Sequence, residues 1–180
     1  VQSYGAGDLY THHKWTYELI QGNIFQDGIY PEAMHCFIYC MNTLFGVRIY
    51  SILLFLQGIH VAVLLLSVYV FLRRVLYWRY SPLFVLMLFL TLDLTSLSFI
   101  TNMSRLQNTL PQEFGLHTIF LSALYLVNYL YKGNISRKTV TGLKQFWNED
   151  LFLLMVSMAA AAMIHFFVVI MACIVCCTFA

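Results

Sequence analysis

The sequence predicts an all-α integral membrane protein: a four-transmembrane-helix bundle with an ordered outer N-terminal arm and a short interfacial or re-entrant helix. Three observations predict it. Four apolar runs, residues 49–72, 82–101, 114–131 and 151–178, are uncharged or nearly so. A helix needs about 18 or more such residues to cross roughly 30 Å of hydrocarbon, and in lipid the backbone must bond to itself. Hydrophobic residues make up 61% of the chain and charged residues 10%, where a soluble domain carries about 25% charged. The third observation is where the basic residues fall. Arg73, Arg74, Arg79, Lys132, Arg137, Lys138 and Lys144 lie in the first and third connections, against Arg105 alone in the second.

The elements follow in order. Residues 1–32 form the arm. Tyr4, Tyr10, Trp15, Tyr17 and Tyr30 are too many aromatics for a disordered tail, and residues 8–21 read as a helix carrying Trp15, Leu19 and Ile20. It is expected to be a lid or docking arm. Residues 33–47 contain a shorter apolar stretch, below spanning length, so an interfacial or re-entrant helix is expected. The alternative joins it to the first span as one long helix. Residues 48–180 are the four-helix domain. Tyr77, Trp78 and Tyr80 beside the first basic connection, and Tyr125, Tyr129 and Tyr131 near the second, read as headgroup anchors.

Basic residues in short loops stay on the cytoplasmic side, or the matrix side of a mitochondrial inner membrane. The asymmetry therefore places both termini on the non-cytoplasmic or non-matrix side. Which membrane this is does not follow from the pattern. The chain begins at Val1 without a visible signal peptide, so an outside N-terminus predicts a removed leader or a longer parent chain.

The residue types able to carry chemistry inside the spans are few. His60, Asp93 and His165 fall near one mid-membrane depth if each run is one straight helix of about 1.5 Å rise per residue. A buried charge is costly there, so Asp93 is expected to face protein or water. Gln57 shares the side of His60 at helical spacing, and His117 and Asn128 lie about three turns apart on the third run. Three readings compete: a proton or cation path through Asp93, His60, His165, Gln57, His117 and Asn128; haem with His60 and His165 as axial ligands; and hydrogen-bonded glue that fixes the bundle. Glue is favoured, because each histidine is alone on its helix. No metal site is predicted, and haem is the one cofactor kept in view.

Small residues predict close packing: Gly58 and Ala62 on the first run against Ser157 and Ala161 on the fourth. Cys36 and Cys40 read as packing residues. Cys173, Cys176 and Cys177 close the last run and are palmitoylation candidates; the final residues 177–180 match the loose prenylation pattern, which would need a cytosolic and genuine C-terminus. Of two N-x-S sequons, Asn102 falls in the outer loop and is the one glycosylation candidate, while Asn134 falls inside.

The sequence has no phosphate-binding glycine loop, nucleophile elbow or metalloprotease motif, and no Gly/Pro-broken helix pair of the transporter kind. The net charge of +2 is too dispersed for a nucleic-acid partner. Expected partners are the lipid bilayer and other membrane subunits, or further copies of the chain. The leading expectation is a non-catalytic subunit that scaffolds or modulates a channel, transporter or respiratory-type assembly. A small oligomeric channel or proton/cation carrier comes second, and a membrane redox protein or enzyme third.

Overall fold

A computed structural model describes residues 7–25, 31–94, 109–136 and 149–180, the side chains of 88–94 and 132–136 excepted. These residues are all-helical, with seven helices and no strand among them: α1 (Gly7–Ile20), α2 (Ala33–Phe45), α3 (Ile49–Val75), α4 (Ser81–Leu94), α5 (Pro111–Ser136), α6 (Glu149–Ile164) and α7 (Phe166–Phe179).

Two of these, α3 and the part of α5 over Pro111–Tyr131, are long and apolar enough to cross a membrane by length and composition. At about 1.5 Å per residue the 27 residues of α3 extend about 40 Å, more than the hydrocarbon thickness. Arg73 and Arg74 occupy its last turn, where positive charge meets the negative end of the helix dipole. Pro111 opens α5 and Glu113 lies in its first turn, the two residue types a helix N-terminus favours. The run of residues 82–101 is described only as far as α4 reaches.

The α2 helix is separate from α3, so the single long helix is not what forms. Gly46 takes a left-handed φ of 64° and returns its N–H to the Asn42 carbonyl, an arrangement glycine tolerates and a side chain resists. Asn42 Nδ2 donates to the Val47 carbonyl at 2.9 Å, and Arg48 is extended before α3 begins. Leu9 of α1, Met34 and Ile38 of α2, and Ile49, Ile52, Leu53 and Leu56 of α3 pack with Leu110 into one core. This end of the bundle is called upper below.

From there α3 and α5 both descend. Phe71, two residues before Arg73, packs with Ala123 and Leu124 of α5. The lower end therefore carries the arginines.

The fourth apolar run departs from expectation. It is two helices, α6 and α7, of 16 and 14 residues. Ser157 meets Ser122, while Ile164 lies over Gly115, so α6 climbs antiparallel to α5. Val168 also lies over Gly115, Ala172 packs with Ile119, Val175 reaches the cluster of Ala123 and Leu124, and Phe179 meets Phe71 edge-on at 5.4 Å. Hence α7 descends beside α5, and the run is a helical hairpin. Each arm is about 21–24 Å long, short of the hydrocarbon thickness. The expected single span at residues 151–178 is thereby corrected. The C-terminal end of α7 lies at the lower end with Arg73 and Arg74, opposite to the end expected for it.

His165 makes the break without glycine or proline. Its N–H still bonds the Ala161 carbonyl at 3.1 Å, and its own carbonyl accepts from Val168 and Val169. Its backbone is extended at φ −165° and ψ 138°, and its Nδ1 accepts from the Phe167 N–H at 3.0 Å. The imidazole thus acts as a helix N-cap, which supplies an acceptor to an otherwise orphan donor. Gly115 makes room for the turn. A Cβ there would stand 2.9 Å from both Ile164 Cγ2 and Val168 Cγ2.

Candidate functional site

At the upper end α1 lies across α2 and the start of α3. The buried residues of α1 are Leu9, His12 and Thr16, spaced so that they share one face. Leu9 enters the apolar core, and Thr16 satisfies its hydroxyl on the His12 carbonyl at 2.9 Å. That leaves His12 aimed at α2, whose buried residues are Met34, His35 and Ile38.

His12 Nδ1 and His35 Nε2 stand 3.1 Å apart, joining two helices through one nitrogen–nitrogen hydrogen bond. His35 is 1% exposed and His12 7%. Trp15 closes the pair with its ring edge-on, 5.2 Å from His12 and 5.7 Å from His35. Burial pushes both imidazoles down to about 4, since removing water penalises the charged form. Asp8 works against this at His12, while the charge of His165 adds to it; at His35 the charge of His12 adds to it. Near pH 7 both rings are neutral, so one donates the shared proton and the other accepts it.

Beside the pair is a cavity of about 260 Å³. One wall is α1, through Asp8, Thr11, His12 and Trp15. The other is the entry to α5, through Leu110, Pro111, Gln112 and Glu113. Glu113 is 4% exposed. The lining holds two carboxyl groups and no lysine or arginine. Such a pocket favours a positively charged or proton-donating guest, and Trp15 offers a ring against which a cation is stabilised. The carboxyl groups can also exchange protons with a bound molecule.

The residues singled out from the sequence are distributed otherwise. His165 sits at the turn of the hairpin, beside Ile164 and Val168, and bears electrostatically on His12. His60 is 2% exposed within the bundle, on the α3 face that carries Leu53, Leu56, Leu64 and Ser67. Gln57 is half-buried. His117 is half-buried and edge-on to Phe114. Asn128 is at the lower end, where its Oδ1 accepts from Arg74 Nε at 2.6 Å. The side chain of Asp93 and the sequon at Asn102 lie outside the described residues. Gly58 and Ala62 are exposed, with open space around a Cβ at Gly58, so they do not pack against the fourth run. Ser157 and Ala161 are buried, and they pack on α5 instead. The five cysteines are free thiols. Among the described residues, no group of three or more His, Cys, Asp or Glu side chains is placed to hold a metal ion.

Sequence reasoning missed His12, Glu113 and Gly115. The spacing of Leu9, His12 and Thr16 was a signal for a buried α1 face; nothing local announces that His12 meets His35. Comparison with known proteins returns no matching family model, no matching curated protein and no matching solved structure.

Proposed function

We propose that this chain is a membrane-embedded helical protein that binds a small cationic ligand in the pocket between α1 and the start of α5. The observation that carries the reading is the pairing of a cavity of about 260 Å³ with two carboxyl groups and Trp15 in its lining, and no lysine or arginine. A concave site with a few convergent polar groups is the usual form of a small-molecule site. The neutral His12–His35 pair fixes α1 over the cavity without adding positive charge. The α1 arm is then one wall of the site as well as a cover.

The test uses Trp15 as reporter. With Trp78 and Trp147 replaced by phenylalanine, Trp15 is the remaining tryptophan. Titration with methylammonium, guanidinium and Ca²⁺ is expected to give a saturable change in emission for at least one of them. Asp8→Asn and Glu113→Gln are each expected to weaken that binding by about tenfold, the scale of one lost charge-assisted hydrogen bond. Emission that ignores all three cations, or binding unchanged in both variants, would remove the proposal.

A second reading, a subunit of a larger membrane assembly, rests on a different observation. Phe55, Ile59 and Leu66 are 75%, 61% and 62% exposed on α3, and the notch at Gly58 and Ala62 lies among them. Small residues of this kind let a second helix approach closely in lipid. A partner helix seated there is expected to be lost on Gly58→Leu, measured as loss of a co-purifying subunit in mild detergent. A variant that retains every partner of the wild type would end this reading.

A further inference from the structure

The turn between α3 and α4 gathers three arginines and three aromatic rings at the lower end of the bundle. Arg73 Nη1 donates to the Arg79 carbonyl at 3.0 Å, folding the first guanidinium across the turn. Arg74 is held twice: Nε donates to Asn128 Oδ1 at 2.6 Å, and its guanidinium lies 4.5 Å from the centre of the Tyr131 ring. Arg79 sits 5.8 Å from the Tyr80 ring. Each of these contacts engages a carbonyl, an amide or a ring. Among the described residues none of the three arginines has a carboxylate partner, and a guanidinium carries five N–H donors in a planar fork. Most of those donors face outward, since all three arginines are exposed.

The surrounding surface sets the depth. Tyr77, Trp78 and Tyr80 are 106%, 78% and 68% exposed. Rings so fully presented are costly in water and favoured at the headgroup level of a bilayer. Since α3 is longer than the hydrocarbon is thick, its last turn emerges in that same layer. The Arg73, Arg74 and Arg79 side chains are therefore brought to the depth of lipid phosphates, with Arg74 pre-oriented by Asn128 and Tyr131.

We infer that this turn is a binding site for the headgroup of an anionic phospholipid, with Arg74 as its fixed centre and Arg73 and Arg79 as flanking phosphate contacts. Guanidinium forks match phosphate oxygens bidentately, and basic residues beside a membrane helix recruit anionic lipid at about 1 kcal/mol each, or about fivefold in affinity. The site goes beyond the pocket at the opposite end and does not depend on it.

The test is lipid retention. The full chain is reconstituted in nanodiscs containing equal phosphatidylglycerol and phosphatidylcholine, extracted gently, and its bound lipids are counted by native mass spectrometry. Wild type is expected to retain phosphatidylglycerol over phosphatidylcholine. Arg74→Gln should cut that preference about fivefold, and Arg73→Gln/Arg79→Gln more than tenfold. Asn128→Ala, which keeps every charge but removes one of the two contacts that hold Arg74, should lower it as well. Circular dichroism identifies any variant that fails to fold, and the Asn128 variant then carries the test alone. Equal retention of both lipids by wild type, or a preference untouched by removal of the arginines, overturns the assignment. A preference that inorganic phosphate at millimolar concentration abolishes would also overturn it, by showing a soluble-anion site rather than a lipid site.

Discussion

Replacing Gly115 by valine should loosen the helical hairpin from α5. The first added carbon stands 2.9 Å from Ile164 Cγ2 and from Val168 Cγ2, and 3.2 Å from Val168 Cγ1. Both neighbours are branched residues in the turn, with little freedom to withdraw. Overpacking of this sort costs about 1–3 kcal/mol. A side chain in place of glycine returns up to about 1 kcal/mol of helix propensity. For Gly115→Ala the gain offsets part of the cost, leaving a loss of about 1 kcal/mol. For Gly115→Val the branched methyl groups deepen the clash, and a loss of about 2–3 kcal/mol is expected. Thermal unfolding in mild detergent measures both. A double variant, Gly115→Ala with Val168→Ala, removes the Val168 methyl groups that the new carbon meets. It should show a favourable coupling of at least about 0.5 kcal/mol between the two changes. If Gly115→Val is as stable as wild type and the double variant shows no coupling, the hairpin does not rest on Gly115 and its described placement is wrong.

Three further expectations concern the upper end and the core. His35→Ala should destabilise the docking of α1 by about 1–3 kcal/mol, because it strands a buried nitrogen of His12. His12→Leu with His35→Leu should lose far less than two single changes added together, read from a double-mutant cycle of stability. Acid should also release α1. Both imidazoles titrate at about 4 when folded against an ordinary 6.5, so the unfolded arm binds more protons between those values. The contribution of the pair is intact above about pH 6.5 and falls as pH drops toward 4, by up to about 1.4 kcal/mol per pH unit for each ring. Hydrogen exchange of α1, corrected for its intrinsic pH dependence, should rise between pH 7 and 5 in wild type and stay level in the double leucine variant. Ser122→Ala breaks the buried hydroxyl contact with Ser157 at 2.9 Å; about 0.6 kcal/mol is expected, the average for such bonds between membrane helices.

Run length and charge made much of the helical content legible. The apolar stretch at residues 33–47 read as a short separate helix, and Gly46 is the residue that makes it so. The 14 residues of α1 follow the polar and aromatic pattern of the arm. The hairpin was hidden because hydropathy counts composition, and residues 151–178 are apolar throughout apart from Ser157, His165 and Thr178. A single histidine that caps the next helix with its own ring leaves no trace in such a count. One straight helix would put His165 at mid-membrane with His60; the break puts it at the turn, where it bears on His12. The His12–His35 contact was hidden for another reason. It joins residues 23 apart on two different helices, and helix periodicity speaks only of faces within one helix. Glu113 stands at the edge of an apolar run, where its type alone marks no site, and the cavity beside it exists only once α1 faces the entry to α5.

The sidedness of residue 178 tests the central structural claim most directly. In a variant whose five cysteines are replaced, single cysteines are introduced at Thr43, at Tyr80 and at Thr178 in separate proteins. Each is treated in intact cells with a membrane-impermeant maleimide, before and after permeabilisation. The hairpin predicts that positions 80 and 178 label under the same condition and that position 43 labels under the other. Labelling of position 178 together with 43 would mean that the last apolar run crosses the membrane once, and the hairpin, with His165 at its turn, would be contradicted.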